Sequence, residues 1–180
     1  MHAQVAALRK VALVSALLVL FAVPAPAQAG VRLLAADPIE SAVVRKVNQV
    51  RRSHGLRALR VVPVLKRAAT DHSVNMAQHG YFTHDWSNGA HFGRWITRYW
   101  PGPGRYRSWS VGENLYWRGP SITAGLVVRA WLNSPPHRRN LLNRTWRFVG
   151  VGAVQMLNPV GAYAGIPTPT LVAAEYGQRK

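Results

Sequence analysis

The chain has no cysteine and only six acidic residues in 180. The first absence excludes disulfides, thiolate nucleophiles and zinc or iron–sulfur centres built on sulfur. The second leaves 23 Lys and Arg nearly unopposed, for a formal net charge of +17. No apolar stretch reaches the roughly 20 residues needed to cross a bilayer. There is no Gly-x-Ser-x-Gly elbow, no His-Glu-x-x-His, no internal repeat and no low-complexity run. What is present is 48% hydrophobic and carries seven Trp, too apolar for a disordered basic tail.

Arg9 and Lys10 precede an apolar run, Val11–Val23, which Pro24 and Pro26 end. Ala27-Gln28-Ala29 then has the small-x-small form of a signal-peptidase site. The expectation is a Sec-type signal peptide over residues 1–29, cleaved after Ala29, and a secreted, extracellular protein. An uncleaved N-terminal anchor is the other reading. Without cysteine there is no lipobox, and no second apolar segment follows. Residues 30–180 are enough for one domain that buries roughly two thirds of its unfolded surface without staples.

Residues 30–37 read as a flexible lead-in and 38–180 as a single domain. Asp37 is placed to cap a helix, with Pro38 in its first turn and His54-Gly55 at its end. A second helix runs from Pro63 to a stop at Gly80, with Leu65, Ala68, Ala69, His72, Met76 and Ala77 on one face. A short amphipathic piece spans Phe92–Tyr99, a strand Ser110–Trp117, and a third long helix Ser121–Asn133, ended by Pro135 and Pro136. A helical turn follows at Arg138–Leu142. Phe148–Val154 then alternates with period two and carries two glycines, and Thr170–Tyr176 is the last strand. Helices first and strands late, with no βαβ repeat, argue for an α+β fold with an antiparallel sheet.

Four short stretches carry more than periodicity: Tyr81-Phe82-Thr83-His84, Gly112-Glu113-Asn114, Trp131 through Arg138, and Val149-Gly150-Val151-Gly152. With Asn48 and Arg51 on the first helix, these resemble the bacterial branch of the CAP superfamily. That is the group of SCP-like extracellular proteins, cysteine-rich secretory proteins, antigen 5 and pathogenesis-related proteins. The resemblance runs from about Ile39 to Tyr176. It implies an α-β-α sandwich with a small central antiparallel sheet and a cleft lined by two His and two Glu, which binds a divalent metal in several members of the family. His84 and His137 match the histidines and Glu113 the acidic residue of Gly-Glu-Asn. Ser134 stands where the second acid would fall, so the implied metal set is His84, His137 and Glu113. Asn114, Ser134 and Asp85 belong to the same motifs.

Two imidazoles and a carboxylate form an acceptable zinc set with an open position, and zinc or another divalent cation is expected to bind weakly. Asp85 is the candidate to orient His84. Taken singly, each of the three has a plainer reading: Glu113 as a backbone acceptor, His84 as a loop residue, His137 as a polar helix start. His72 and His79 read as core or surface residues. A metal-assisted hydrolase would use Glu113 and His137, with His84, as catalytic candidates. The family has no common established activity, so no catalytic residue is assigned and the balance lies against an enzyme. The preferred expectation is a cell-surface or extracellular binding module for a lipid or cell-wall ligand. A structural protein with a vestigial cleft is the third reading.

The charge attracts polyanions, which outside a cell means anionic lipid or cell-wall polymer; 19 of the 23 cations are Arg, which compositional bias alone also produces. All seven Trp lie between Trp86 and Trp146, interleaved with Arg. Trp131 and Trp117 read as core, and Trp86, Trp100 and Trp109 as surface residues for a sugar or lipid wall. Stacking on nucleic acid is disfavoured by the export signal.

Overall fold

Among the described residues, prolines set the starts of three of the five helices. In the computed structural model, which describes residues 31–102 and 104–180, α1 spans Asp37–Ser53, α2 Pro63–His79 and α5 Pro135–Leu141, each with a proline in its first turn, where a missing N–H costs nothing. The expected leader, residues 1–29, lies outside the described residues. Ala36, not Asp37, is the N-cap of α1; Asp37 and Glu40 instead sit in its first turn, where negative charge suits the helix dipole. Helix α2 stops at Gly80, whose φ of 66° is left-handed and whose Cβ would press to 2.8 Å from the Gly161 backbone.

Helix α3 is short, Phe92–Trp95, and runs into a 3-10 turn, Ile96–Arg98. Helix α4, Ala124–Asn133, is capped by Thr123, whose hydroxyl accepts the Leu126 N–H. Ser134 then serves as the N-cap position of α5, which therefore starts three residues before the expected Arg138.

The strands are β1 Leu33–Ala35, β2 Arg60–Val61, β3 Trp109–Arg118, β4 Phe148–Met156 and β5 Thr170–Arg179. Their order is β1-β4-β5-β3, antiparallel throughout, with β2 lying parallel against the first residues of β4. The lead-in is thus not free: Leu33, Leu34 and Ala35 pair with Met156, Gln155 and Val154. The outer edge of β4 offers unpaired backbone groups there, and Leu33 packs on the cluster holding Met156, which is what orders it.

Period two on β4 and β5 separates the layers. Val149, Val151, Ala153, Val172, Ala174 and Tyr176 face α1, α4 and α5, packing on Val43, Val47, Val127 and Trp131. The opposite face carries Val154, Met156, Leu171 and Ala173 against Ala69, Met76 and Ala77 of α2. A third cluster joins Leu65 and Ala68 to Trp95, Ile96 and Trp100. The result is the expected α-β-α sandwich.

Gly150 and Gly152 let α2 lie directly on β4. A Cβ at Gly150 would stand 2.0 Å from the Leu65 carbonyl carbon, and one at Gly152 2.2 Å from the Thr70 nitrogen. Buried Glu40 ties α1 to the sheet: Oε1 accepts the Ala153 N–H at 2.9 Å, and Oε2 meets Lys66 Nζ at 2.9 Å. Asn48 exchanges two hydrogen bonds with the Leu59 backbone.

Candidate functional site

The antiparallel register sets Gly150, Glu175 and Glu113 in one row across β4, β5 and β3. The row lies on the face covered by α2. The bare Gly150 admits the helix, and His72, one turn beyond Ala68 and Ala69, comes down on the two carboxyls. His72 Nδ1 donates to Glu113 Oε2 at 2.6 Å. Its ring is held by Trp86, stacked at 5.5 Å, and Trp95, tilted at 4.6 Å.

The loop between α2 and α3 brings the second imidazole. Trp95 Nε1 donates to the His84 carbonyl at 3.0 Å, and the Asp85 N–H donates to Thr83 Oγ1 at 3.0 Å. So fixed, His84 donates from Nδ1 to Glu113 Oε1 at 2.5 Å. Asp85 does not serve His84 as expected. Its carboxylate instead takes the Phe92 N–H at 3.1 Å and His91 Nδ1 at 2.9 Å, closing the loop onto the start of α3.

Asn114 and Asn140 set the opposite wall. Asn114 Nδ2 donates to the His137 carbonyl at 3.1 Å, while Asn140 Nδ2 donates to the Glu113 carbonyl at 2.9 Å and to Asn114 Oδ1 at 3.0 Å. These bonds pin α5 beside β3. His84, Glu113, Asn114 and His137 consequently line one cleft of about 360 Å³, with Phe92, Gly112 and Asn140. Ser134 is not in it. It lines an adjoining, largely apolar pocket of about 290 Å³ with Phe82, Leu115, Trp117 and Trp131, which meets the cleft at His137.

Burial pushes Glu113 upward, but the hydrogen bonds from His72 and His84 outweigh it and hold the carboxyl below the ordinary glutamate range. Burial, then the charge of Glu113, pushes Glu175 well above that range; its oxygens have no hydrogen-bond partner among the described residues. The two cleft histidines diverge. The hydrogen bond to Glu113 raises His84, against partial burial. Burial, then the charge of His84, lowers His137.

His72, Glu113 and Glu175 form a fully buried group whose ligand atoms all lie within 4.8 Å of one another, close enough to hold a metal. As it stands, however, His72 and Glu113 are at hydrogen-bond separation. Ligands at 2.0–2.2 Å around a tetrahedral ion stand about 3.4 Å apart, so an ion there requires the group to spread. The set expected from sequence, His84, His137 and Glu113, shares the cleft but is not drawn together to that degree. In the cleft the histidine and the carboxylate divide their bonding differently. Glu113 has both oxygens taken by imidazoles, whereas His84 bonds only through Nδ1 among the described residues and lines the cleft. A carboxylate behind a ligating histidine is the usual arrangement at metal centres.

Two participants were not legible as such. His72 reads as core from the helical pattern, and it is fully buried; its carboxylate partners lie far away in sequence. Glu175 gives one signal, an acid inside the apolar run Leu171–Tyr176. Of the tryptophans assigned to the surface, Trp100 is buried at 2% exposure, beneath Arg179 at 3.8 Å, while Trp86 and Trp109 are half-buried. The expected aromatic wall is mostly core.

Residues 44–158 match the family model described as CAP, cysteine-rich secretory protein family, and the chain belongs to that family. The uncharacterized protein YkwD of Bacillus subtilis is 32% identical over 122 residues, covering 64% of this chain and 42% of YkwD; the chain thus spans less than half that relative. Among solved structures, an outer surface protein of Borrelia burgdorferi superposes with a TM-score of 0.66 at 18% identity, covering 83% of this chain and 99% of that one. An extracellular SCP-domain protein of Bacillus anthracis gives 0.58 at 23% identity, with coverages of 79% and 41%. These likenesses show the fold.

Proposed function

We propose that the chain is an extracellular binding domain that engages its ligand at the cleft through His84 and His137, with zinc or a similar divalent cation as the inorganic component. One observation carries this reading: Glu113 is saturated by His72 and His84, which fixes the His84 ring and leaves Nε2 free in an open cleft beside His137. Glu113 supplies charge and orientation and is not itself a ligand. When bound, a divalent ion supplies a Lewis-acidic centre with positions left for an oxygen of the ligand. The adjoining pocket of Phe82, Leu115, Trp117 and Trp131 suits the apolar part of a molecule whose polar head lies at the histidines, in keeping with a lipid or lipid-linked cell-wall ligand. The export-type N-terminal sequence and the surface and extracellular origins named for the similar structures support the location.

Calorimetric titration of zinc tests it. One-to-one binding is expected, lost in His84→Ala/His137→Ala and weakened by about 10–100-fold in Glu113→Gln. Equal binding by the double variant rejects the site.

A second reading rests on the opposed shifts of the two cleft imidazoles. One held toward the cation and one held neutral form an acid–base pair for hydrolysis. Turnover of a peptide or wall substrate that survives His137→Ala would remove it.

A further inference from the structure

The end of α1, the turn after it, β2 and the end of α5 meet at one pole of the molecule, and Arg51 is the pin that holds them. Its buried guanidinium donates from Nε to the Arg57 carbonyl at 3.0 Å, and from Nη1 to the carbonyls of Leu141 at 2.7 Å and Asn143 at 3.0 Å. Nη2 is buried without a partner among the described residues. The Arg60 N–H donates to the Arg147 carbonyl at 3.0 Å and closes the far side.

Around this pin stand Arg52, Arg57, Arg60, Arg139 and Arg144. All five are exposed, and none forms an ion pair among the described residues. No acid is available to them. Glu40, Glu113 and Glu175 are buried. Asp37, Asp71 and Asp85 lie on the start of α1, on α2 and in the loop before α3, where they meet Lys66, Arg67 and His91.

We propose that this pole is a docking surface for a linear, phosphate-bearing polymer. Guanidinium forks match phosphate oxygens in pairs, and five exposed ones without an ion-paired carboxylate give this pole a positive potential. Two features favour a water-borne polymer over a bilayer or a nucleic acid. Rings at the margin already carry a guanidinium: Arg60 lies over Phe148 at 5.8 Å, and Arg179 over Trp100 at 3.8 Å and Tyr106 at 5.0 Å. A base would therefore have to compete with arginine for these rings. Of the large exposed apolar side chains, only Val61 belongs to the arginine-bearing segments, so no wedge is presented to lipid.

The test uses long-chain inorganic polyphosphate as the probe and two variants with the same loss of charge. R52Q/R57Q/R60Q/R139Q/R144Q empties the pole, and R45Q/R94Q/R98Q/R118Q/R129Q removes five exposed arginines elsewhere. The pole variant should bind about tenfold more weakly or worse, and the other within about twofold of the parent. Both should keep the parent's far-UV circular dichroism. Equal losses would overturn the proposal in favour of bulk charge. Tighter binding to phosphatidylglycerol vesicles or to single-stranded DNA, at equal phosphate, would overturn it in favour of a membrane or a nucleic acid. None of the five lines the cleft, so a failure of zinc binding leaves this result independent.

Discussion

Glu113 is an anion in the protein interior, tolerated because a ring N–H reaches each of its oxygens. Removing one member of such a buried set leaves the others uncompensated. Glu113→Gln should therefore cost about 3 kcal/mol of stability, read from urea unfolding. Glu175 is the opposite case, an acid that burial and its neighbour hold in the protonated form. Its unfolded counterpart ionises above about pH 4.5, so rising pH favours the unfolded chain until the folded carboxyl also lets its proton go. Glu175→Gln keeps the shape and removes that drift. Its gain in melting temperature should be larger near pH 8 than near pH 5, and an equal gain at both would refute the buried proton. His84 adds a smaller effect of the same sign, since it is half-exposed. Its raised value contributes fully below about pH 6.5 and is lost as pH climbs through it. Glu113 works the other way, contributing above about pH 4.5 and losing its share as pH falls. His137, held low, likewise loses its share as pH falls below about 6.5, so stability should peak between these opposing losses.

At the scale of elements, the contact of α2 with β4 decides where the site lies. Gly150→Ala or Gly152→Ala drives a methyl into helix backbone, which cannot rotate away as a side chain can. Each should destabilise by about 3 kcal/mol or more in urea melts. Gly93, in α3, has open space where its Cβ would be and no positive φ, so Gly93→Ala should be neutral or stabilising by up to about 1 kcal/mol. The helices were legible because their signals are local: a proline in the first turn, Gly80 at the end of α2, apolar spacing between. The later strands showed in their period of two. What stayed hidden depends on register. Nothing near Glu113 in sequence announces Glu175 as its cross-strand neighbour, and nothing within α2 distinguishes His72 from a plain core residue. Trp100 reads as a loop residue because Pro101-Gly102 follows it, yet the turn after α3 folds it under Arg179. The short strand β1 gains order only from the edge of β4, so no reading of Val31–Ala35 alone could find it. Of the site, His84, Glu113, Asn114 and His137 were legible through motif resemblance, while Asp85 and Ser134 belong to the same motifs but serve the loop and the start of α5.

For the molecule as a whole, 23 cations face six acids, half of them buried. The surface repels itself. Raising sodium chloride from about 20 mM to about 300 mM screens that repulsion, and the melting temperature should rise; a fall would mean that the exposed Asp37, Asp71 and Asp85 pairs outweigh it. The sheet adds a consequence of its own. Strand β5 is a late segment of the chain but sits between β3 and β4, and it carries Glu175. A chain delivered N-terminus first, from a ribosome or through a narrow pore, presents both helical layers and four of its strands while the seat between β3 and β4 is still empty. Neither the cleft nor the sheet closes until β5 has followed.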